Sequence, residues 1–188
     1  MIKKFVCMPL AGLCSFSVMA ADSYTIDSHH TFPSFEIDHL GFSIQRGRFN
    51  ESSGKVVLDS ANRQGSIDVT VNVASISTGL VELEEHLRGQ DFFDAARYPT
   101  MTFKSDRLSF SGDKLSGADG TLTLHGVKKP VHLTVDHSYC GMNAIRLKYT
   151  CGANAVASIR RSDFGIDKYV PMIGDEVKVL IQVEATRD

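Results

Sequence analysis

The sequence predicts an all-β domain, either an antiparallel sandwich or an up-and-down β-barrel, with one inserted helical segment. Three observations carry this. Apolar and polar residues alternate in twos through most of the chain, turn residues punctuate the alternating runs, and a single stretch switches to helical spacing.

The alternation is cleanest in four places. Ile67, Val69, Val71 and Val73 interleave with Asp68, Thr70 and Asn72, and Leu122 and Leu124 interleave with Thr121, Thr123 and His125. Val131, Leu133 and Val135 interleave with His132, Thr134 and Asp136, and Val177, Val179, Ile181 and Val183 with Lys178, Leu180, Gln182 and Glu184. A period of two, rich in β-branched residues, turns one strand face to an apolar interior and the other to water. Less regular runs over 24–27, 34–39, 46–49, 55–59, 100–105 and 153–161 read as further strands. Ser53-Gly54, Asn62-Arg63-Gln64-Gly65, Ser111-Gly112-Asp113 and Gly117-Ala118-Asp119-Gly120 read as turns between strands. Connections this short favour antiparallel neighbours. With no internal repeat and no low-complexity linker, one domain is the economical reading.

The helical stretch runs from Thr78 to Gly89. Leu80, Leu83 and Leu87, joined by Val81, recur at helical spacing. Ser77 or Thr78 can cap its start, Glu82, Glu84 and Glu85 suit its early turns, and Gly89 can stop it. A second short helical piece is expected over Asp91–Ala96, ended by Pro99. Such an insertion either plugs a barrel end or covers a ligand entrance.

The opening of the chain reads as a leader. Lys3 and Lys4 precede an apolar run from Phe5 to Val18, and Val18-Met19-Ala20 supplies a peptidase-like end. The run is short for a membrane span. Leu13 stands where a small residue should precede a lipidated Cys14. Residues 1–21 are therefore expected to be a cleaved signal peptide and 22–188 the domain, located in the periplasm or secreted. Without Lys3 and Lys4, 18 of the 20 basic residues face 22 acidic ones, a formal −4. That balance offers no basic stripe for nucleic acid and no electrostatic attraction to anionic lipid. Cys7 and Cys14 leave with the leader, so Cys140 and Cys151 remain, and an even pair in an exported protein suggests a disulfide. Two free buried thiols are the alternative. The bond is expected to clip the base of a loop, between a strand ending at Cys140 and one beginning after Cys151.

Catalytic constellations are missing from the sequence. The seven histidines, His29, His30, His39, His86, His125, His132 and His137, show no H-E-x-x-H or other zinc-ligand spacing. His29 and His30 would face opposite sides of an extended strand. There is no C-x-x-C, G-x-S-x-G or phosphate-binding glycine loop. Asp163, Asp167 and Asp175 are spaced too widely for a calcium loop. The sequence thus leads to a non-enzymatic reading without metal or dedicated cofactor.

Four blocks of residues resemble the YceI-like family of exported bacterial proteins. They are HTFPSFEIDHLGFS from His30 leading to Gly47-Arg48-Phe49; SISTG from Ser75 with His86-Leu87-Arg88, DFFD from Asp91 and YPTMTFKS from Tyr98; GTLTLHGVKKPV from Gly120; and RSDFG from Arg161 with Gly174-Asp175-Glu176-Val177. The resemblance implies an extended antiparallel lipocalin-like barrel whose interior holds a long polyisoprenoid-type molecule, an isoprenoid quinone or a polyprenyl compound. It also implies sequestration of other lipophilic molecules, homodimers, and transient contact with a membrane or membrane protein for ligand exchange.

On this reading Phe32, Phe35, Phe42, Phe49, Phe92, Phe93, Phe103 and Phe164 are candidate ligand contacts, together with Ile37, Val71, Leu87, Leu124, Ala157 and Ile159. The small residues Ala153, Ala155 and Ala157 opposite large aromatics would leave a tunnel. An apolar tail would then gain about 0.8 kcal/mol per buried CH₂. His39, Arg88 and Arg161 are candidates to orient a headgroup. The structural alternative is an ion pair, such as Arg161 with Asp163, or a hydrogen bond that pins a loop. Two further functions compete with a carrier: an enzyme acting on a lipid or quinone, which needs a polar cluster in the cavity, and a structural barrel with a filled core that binds no ligand.

Overall fold

The clean period-two runs form strands, apart from Val73, which opens a 3-10 turn after its strand, and the apolar faces of these strands turn to one shared interior. The computed structural model describes residues 21–188. The signal peptide expected over residues 1–21 lies, apart from Ala21, outside them. The strands are β1 (Asp22–Ile26), β2 (Phe32–His39), β3 (Ser43–Phe49), β4 (Ser52–Asp59), β5 (Gln64–Asn72), β6 (Ile76–Ser77), β7 (Thr100–Ser111), β8 (Lys114–Leu124), β9 (Val127–Asn143), β10 (Lys148–Arg160) and β11 (Ile173–Arg187); the helix α1 is Val81–Arg88. Antiparallel pairing runs β1–β4–β5–β7–β8–β9–β10–β11, and β11 returns to β1. This closes an eight-stranded barrel and settles the choice between sandwich and barrel.

β2 and β3 extend the wall beyond β1 and β4. β11 pairs with β1 from Tyr24↔Arg187 to Ile26↔Ala185 and with β2 from Ile173↔His39 to Gln182↔Phe32. β6 adds to β3 through Arg48↔Ser77 and Phe49↔Ile76. The hairpin turns β4–β5, β7–β8 and β9–β10 lie at one end of the barrel. At the other end lie the β2–β3 and β8–β9 turns, α1 with the segment 89–99, and the long connection 161–172.

Several local expectations are corrected. Ser53-Gly54 is inside β4, and the chain turns at Asn50-Glu51 instead. Gly54 is needed there because a Cβ would stand 2.1 Å from the Asp68 carbonyl oxygen, at φ 145°. Gly117-Ala118-Asp119-Gly120 is likewise inside β8. The β8–β9 turn falls at His125-Gly126, with φ 51° and 75°, the conformation of a two-residue hairpin loop. Helix α1 starts later than Thr78. Its N-cap is Leu80, with no side-chain cap, while the Glu84 carboxylate accepts the N–H groups of Thr78 and Gly79 at 2.7 and 3.2 Å. No helix forms over 91–96; the chain makes turns there, with Asp94 at φ 44°. His29 and His30 do not diverge along a strand. They sit in the turn after β1 and both approach Asp27.

The disulfide forms, but not at a loop base. β9 runs past Cys140 and Cys151 lies within β10, so the two face each other in register, joined by an S–S bond of 2.03 Å.

Candidate functional site: a tunnel through the barrel

The inward faces enclose an elongated cavity of about 920 Å³. β11 shows how the sequence builds it. Val177, Val179, Ile181, Val183 and Ala185 all line the cavity, with Ile173 at the start of the strand, while Lys178, Gln182 and Glu184 do not. At ~3.3 Å per residue these positions extend ~40 Å along the strand, or ~30 Å along a barrel axis from which strands tilt by ~40°. On the neighbouring strand, Ala153, Ala155, Ala157 and Ile159 line the same space. Methyl side chains there leave the lumen open.

Two aromatic residues also leave it open, for a different reason. Phe35 sits opposite Gly47 in register, and a Cβ on Gly47 would stand 2.4 Å from the Phe35 ring. The Phe103 ring lies equally close to Gly120. Each ring rests on the bare backbone of the adjacent strand, along the wall rather than across the lumen.

The second end is narrowed by aromatics from α1 and the turns after it. Phe49 meets Phe93 edge-on at 5.5 Å and Phe35 at 6.2 Å. Phe92 packs against His86 at 4.8 Å and Tyr169 at 6.3 Å. His39, Gln45, His86 and Tyr169 supply polar groups to the lining at this end, and Ser60, Asp113, Lys114 and Ser138 do so at the other.

Arg161 also borders the cavity but is turned to a structural task. It is 5% exposed, and its three guanidinium nitrogens donate to the main-chain carbonyls of Gly174, Ile166 and Ile173 at 2.8, 2.9 and 3.0 Å. Burial pushes its pKa below the ordinary arginine value, with the charges of Asp175 and Asp167 opposing that shift. Of the two structural alternatives, the Arg161–Asp163 ion pair is not formed and the loop-pinning hydrogen bonds are. Asp175 is held by Arg160 at 2.9 Å and by the Ser162 hydroxyl and N–H.

Of the residues singled out from the sequence, Phe35, Ile37, Phe49, Val71, Leu87, Phe92, Phe93, Phe103, Leu124, Ala157 and Ile159 line the cavity, as do His39 and Arg161. Four stand elsewhere. Phe42 is 87% exposed in the β2–β3 turn. Phe32 carries the Arg48 guanidinium 4.7 Å from its ring centre. Phe164 is buried behind the lining, against Phe92, Leu124 and Ile166. Arg88 reaches the Ala74 carbonyl at 3.4 Å. Sequence reasoning missed Tyr24, Ile26, Met101, Leu122, Tyr149 and Ile166, all of which line the cavity. Alternation carries a signal for Leu122, which shares a strand face with Leu124.

The comparisons with known proteins fall on this same frame. The sequence model of the YceI-like domain matches residues 24–185. A UPF0312 protein of Pseudomonas paraeruginosa is 36% identical over 194 residues, covering 100% of both chains. Among solved structures, BcnA of Burkholderia cenocepacia superposes with a TM-score of 0.72 at 28% identity, over 86% of this chain and 99% of that one. A domain of Saccharophagus degradans, described as polyisoprenoid-binding and implicated in plant cell wall breakdown, shares the fold with a TM-score of 0.65 at 16% identity, over 88% of this chain and 98% of its own. The family match across nearly the whole described barrel, with a full-length relative above one-third identity, makes this chain a member of the YceI-like family.

Proposed function

We propose that the protein is a periplasmic binding or carrier protein that holds a long apolar isoprenoid-type molecule, an isoprenoid quinone or a polyprenyl compound, inside the barrel. The observation that carries this reading is the tunnel. Its volume of about 920 Å³ lies in the range of small-molecule sites, and its walls are made mostly of aliphatic and aromatic side chains. A cavity of this shape suits a chain-like guest better than a compact one. The polyisoprenoid-binding description of a fold neighbour supports the same class of cargo.

Affinity then comes from burying the tail, at about 0.8 kcal/mol per CH₂. The head meets the polar groups of His39, Gln45 and Tyr169, because the Arg161 guanidinium is already engaged by carbonyls. Leu40, Phe42 and Met172 expose apolar side chains at this end, where the Leu40 N–H donates to the Met172 carbonyl. They suit transient contact with a membrane during loading and release. The role is one of holding cargo, with no chemical step.

Mass spectrometry of an organic extract of the purified native protein tests the proposal. A lipophilic compound of isoprenoid mass is expected, near one per chain. An extract without such a compound, together with no uptake of an added prenyl quinone, refutes it.

A further inference from the structure

On the outside of the barrel, away from the tunnel, the turn after β1 gathers a set of donors that the carrier reading leaves unused. Asp27 and His30 from this turn and Glu184 from β11 place one ligand atom each within 4.8 Å of one another. His30 Nδ1 is 2.8 Å from Asp27 Oδ2. The adjacent imidazole arrives as well: His29 Nδ1 is 3.4 Å from the other Asp27 oxygen, on a side chain 84% exposed and free to swing. From these positions we infer that the outer wall carries a binding site for a divalent transition-metal ion of the zinc type, with Asp27, His30 and Glu184 as ligands and His29 or water completing it.

Imidazole nitrogen with carboxylate oxygen is a donor set that zinc accepts in tetrahedral geometry. Bonds of ~2.1 Å place tetrahedral ligands ~3.4 Å apart, so sub-ångström to ångström shifts convert the present spacings into a coordination shell. The backbone fixes two of the three ligands relative to each other. The Asp27 N–H donates to the Glu184 carbonyl at 2.9 Å, and the Thr31 hydroxyl bridges to the Glu184 carbonyl and N–H at 3.2 Å each.

The charge balance points the same way. The Asp27 side chain is only 8% exposed, and its cationic partner is Arg146, which reaches over from the β9–β10 turn and also approaches His30 Nδ1 at 3.4 Å. Among the described residues the Glu184 carboxylate has no hydrogen bond or ion pair of its own, although its ligand atom belongs to the cluster. The one guanidinium is paired with Asp27 and leaves the Glu184 carboxylate without a cation, whereas a dication held by the three ligand atoms neutralises both carboxylates. Arg146 stands on an exposed turn and can leave. It occupies the place of the ion rather than supporting it.

Isothermal titration of ZnCl₂ into the untagged protein at neutral pH tests this site. One zinc ion per chain is expected. Affinity should fall at least tenfold in His30→Ala and in Glu184→Gln, and should rise severalfold in Arg146→Gln, where the competing cation is gone. His132→Ala, on another strand with only Asp119 for company, should bind as the wild type does. Melting curves in EDTA establish that the variants fold. Unchanged affinity in both His30→Ala and Glu184→Gln, loss of binding in His132→Ala, or no heat up to millimolar zinc overturns the inference. Weaker binding in Arg146→Gln overturns the competing role given to that guanidinium and, with it, the site.

Discussion

Replacing Arg161 by methionine should be among the most damaging single changes available to this barrel. Methionine fills much of the same volume, so the loss is chiefly of donors. Three buried or half-buried carbonyls, those of Ile166, Ile173 and Gly174, lose charge-assisted hydrogen bonds of 2.8 to 3.0 Å. Such bonds contribute about 1.5–3 kcal/mol each. The upper sum is reduced because a buried guanidinium no longer has to be desolvated. A net loss of about 3–5 kcal/mol follows, in line with breaking a buried charged network. In a domain of this size that is a melting-temperature drop of roughly 6–20 °C. Thermal and urea unfolding followed by circular dichroism measure it. Arg161→Lys should fall between the two, because one ammonium cannot span three separated carbonyls as a planar fork does. A loss below about 1 kcal/mol in Arg161→Met would refute the reasoning, since it would mean that water replaces the guanidinium without cost.

Other consequences can be checked alongside it. Ala157→Phe places a ring in the open part of the lumen, so lipid recovered per chain should fall to a tenth or less by mass spectrometry, with a melting temperature within a few degrees of wild type. Reducing the Cys140–Cys151 bond, or changing both residues to serine, should cost up to about 3 kcal/mol for its sequence separation of 11, read as a lower melting temperature. Burial works to raise the Asp175 pKa, but the Ser162 N–H and hydroxyl and the Arg160 guanidinium outweigh it and hold the carboxyl below its ordinary 3.8. A depressed folded-state pKa stabilises above the unfolded value and is lost as pH falls below it. The gap in melting temperature between wild type and Asp175→Asn should therefore be full at about pH 7 and should narrow as pH drops below about 3.8.

Much of the barrel was legible because burial in a closed sheet imposes a strict period of two. Val177 to Val183 reads as one inward and one outward face, and both faces are where the alternation puts them. Glycine was harder to read. Gly54, Gly117 and Gly120 look like turn residues in the sequence, yet they sit within strands. At Gly54 and Gly120 the need is close approach by a carbonyl or a ring, and that is a property of the neighbouring strand. The same limit explains the site. A phenylalanine in a family block is apolar whether it faces the lumen, as Phe103 does, or water, as Phe42 does. Arg161 was identifiable as a buried cation needing partners, but its acceptors are main-chain carbonyls, and these carry no sequence signature. His29 and His30 were misread because opposite facing holds only in extended chain, and they lie in a turn.

The glycines beneath Phe35 and Phe103 bear on how such a barrel could change its guest. Strand number and stagger fix the outer dimensions of a barrel. The bore of this one is further set by two hydrogen atoms, those that stand in for side chains at Gly47 and Gly120. Adding a single methyl at Gly47 would meet only side-chain atoms and would lift the Phe35 ring off the wall toward the axis, with the backbone hydrogen-bond ladder left as it is; at Gly120 the Lys104 carbonyl, 2.6 Å from the same position, would have to shift as well. The calibre of the lumen is thus adjustable at Gly47 by one carbon, independently of the scaffold. Barrels sharing this backbone can differ in the width of the lumen while remaining superimposable.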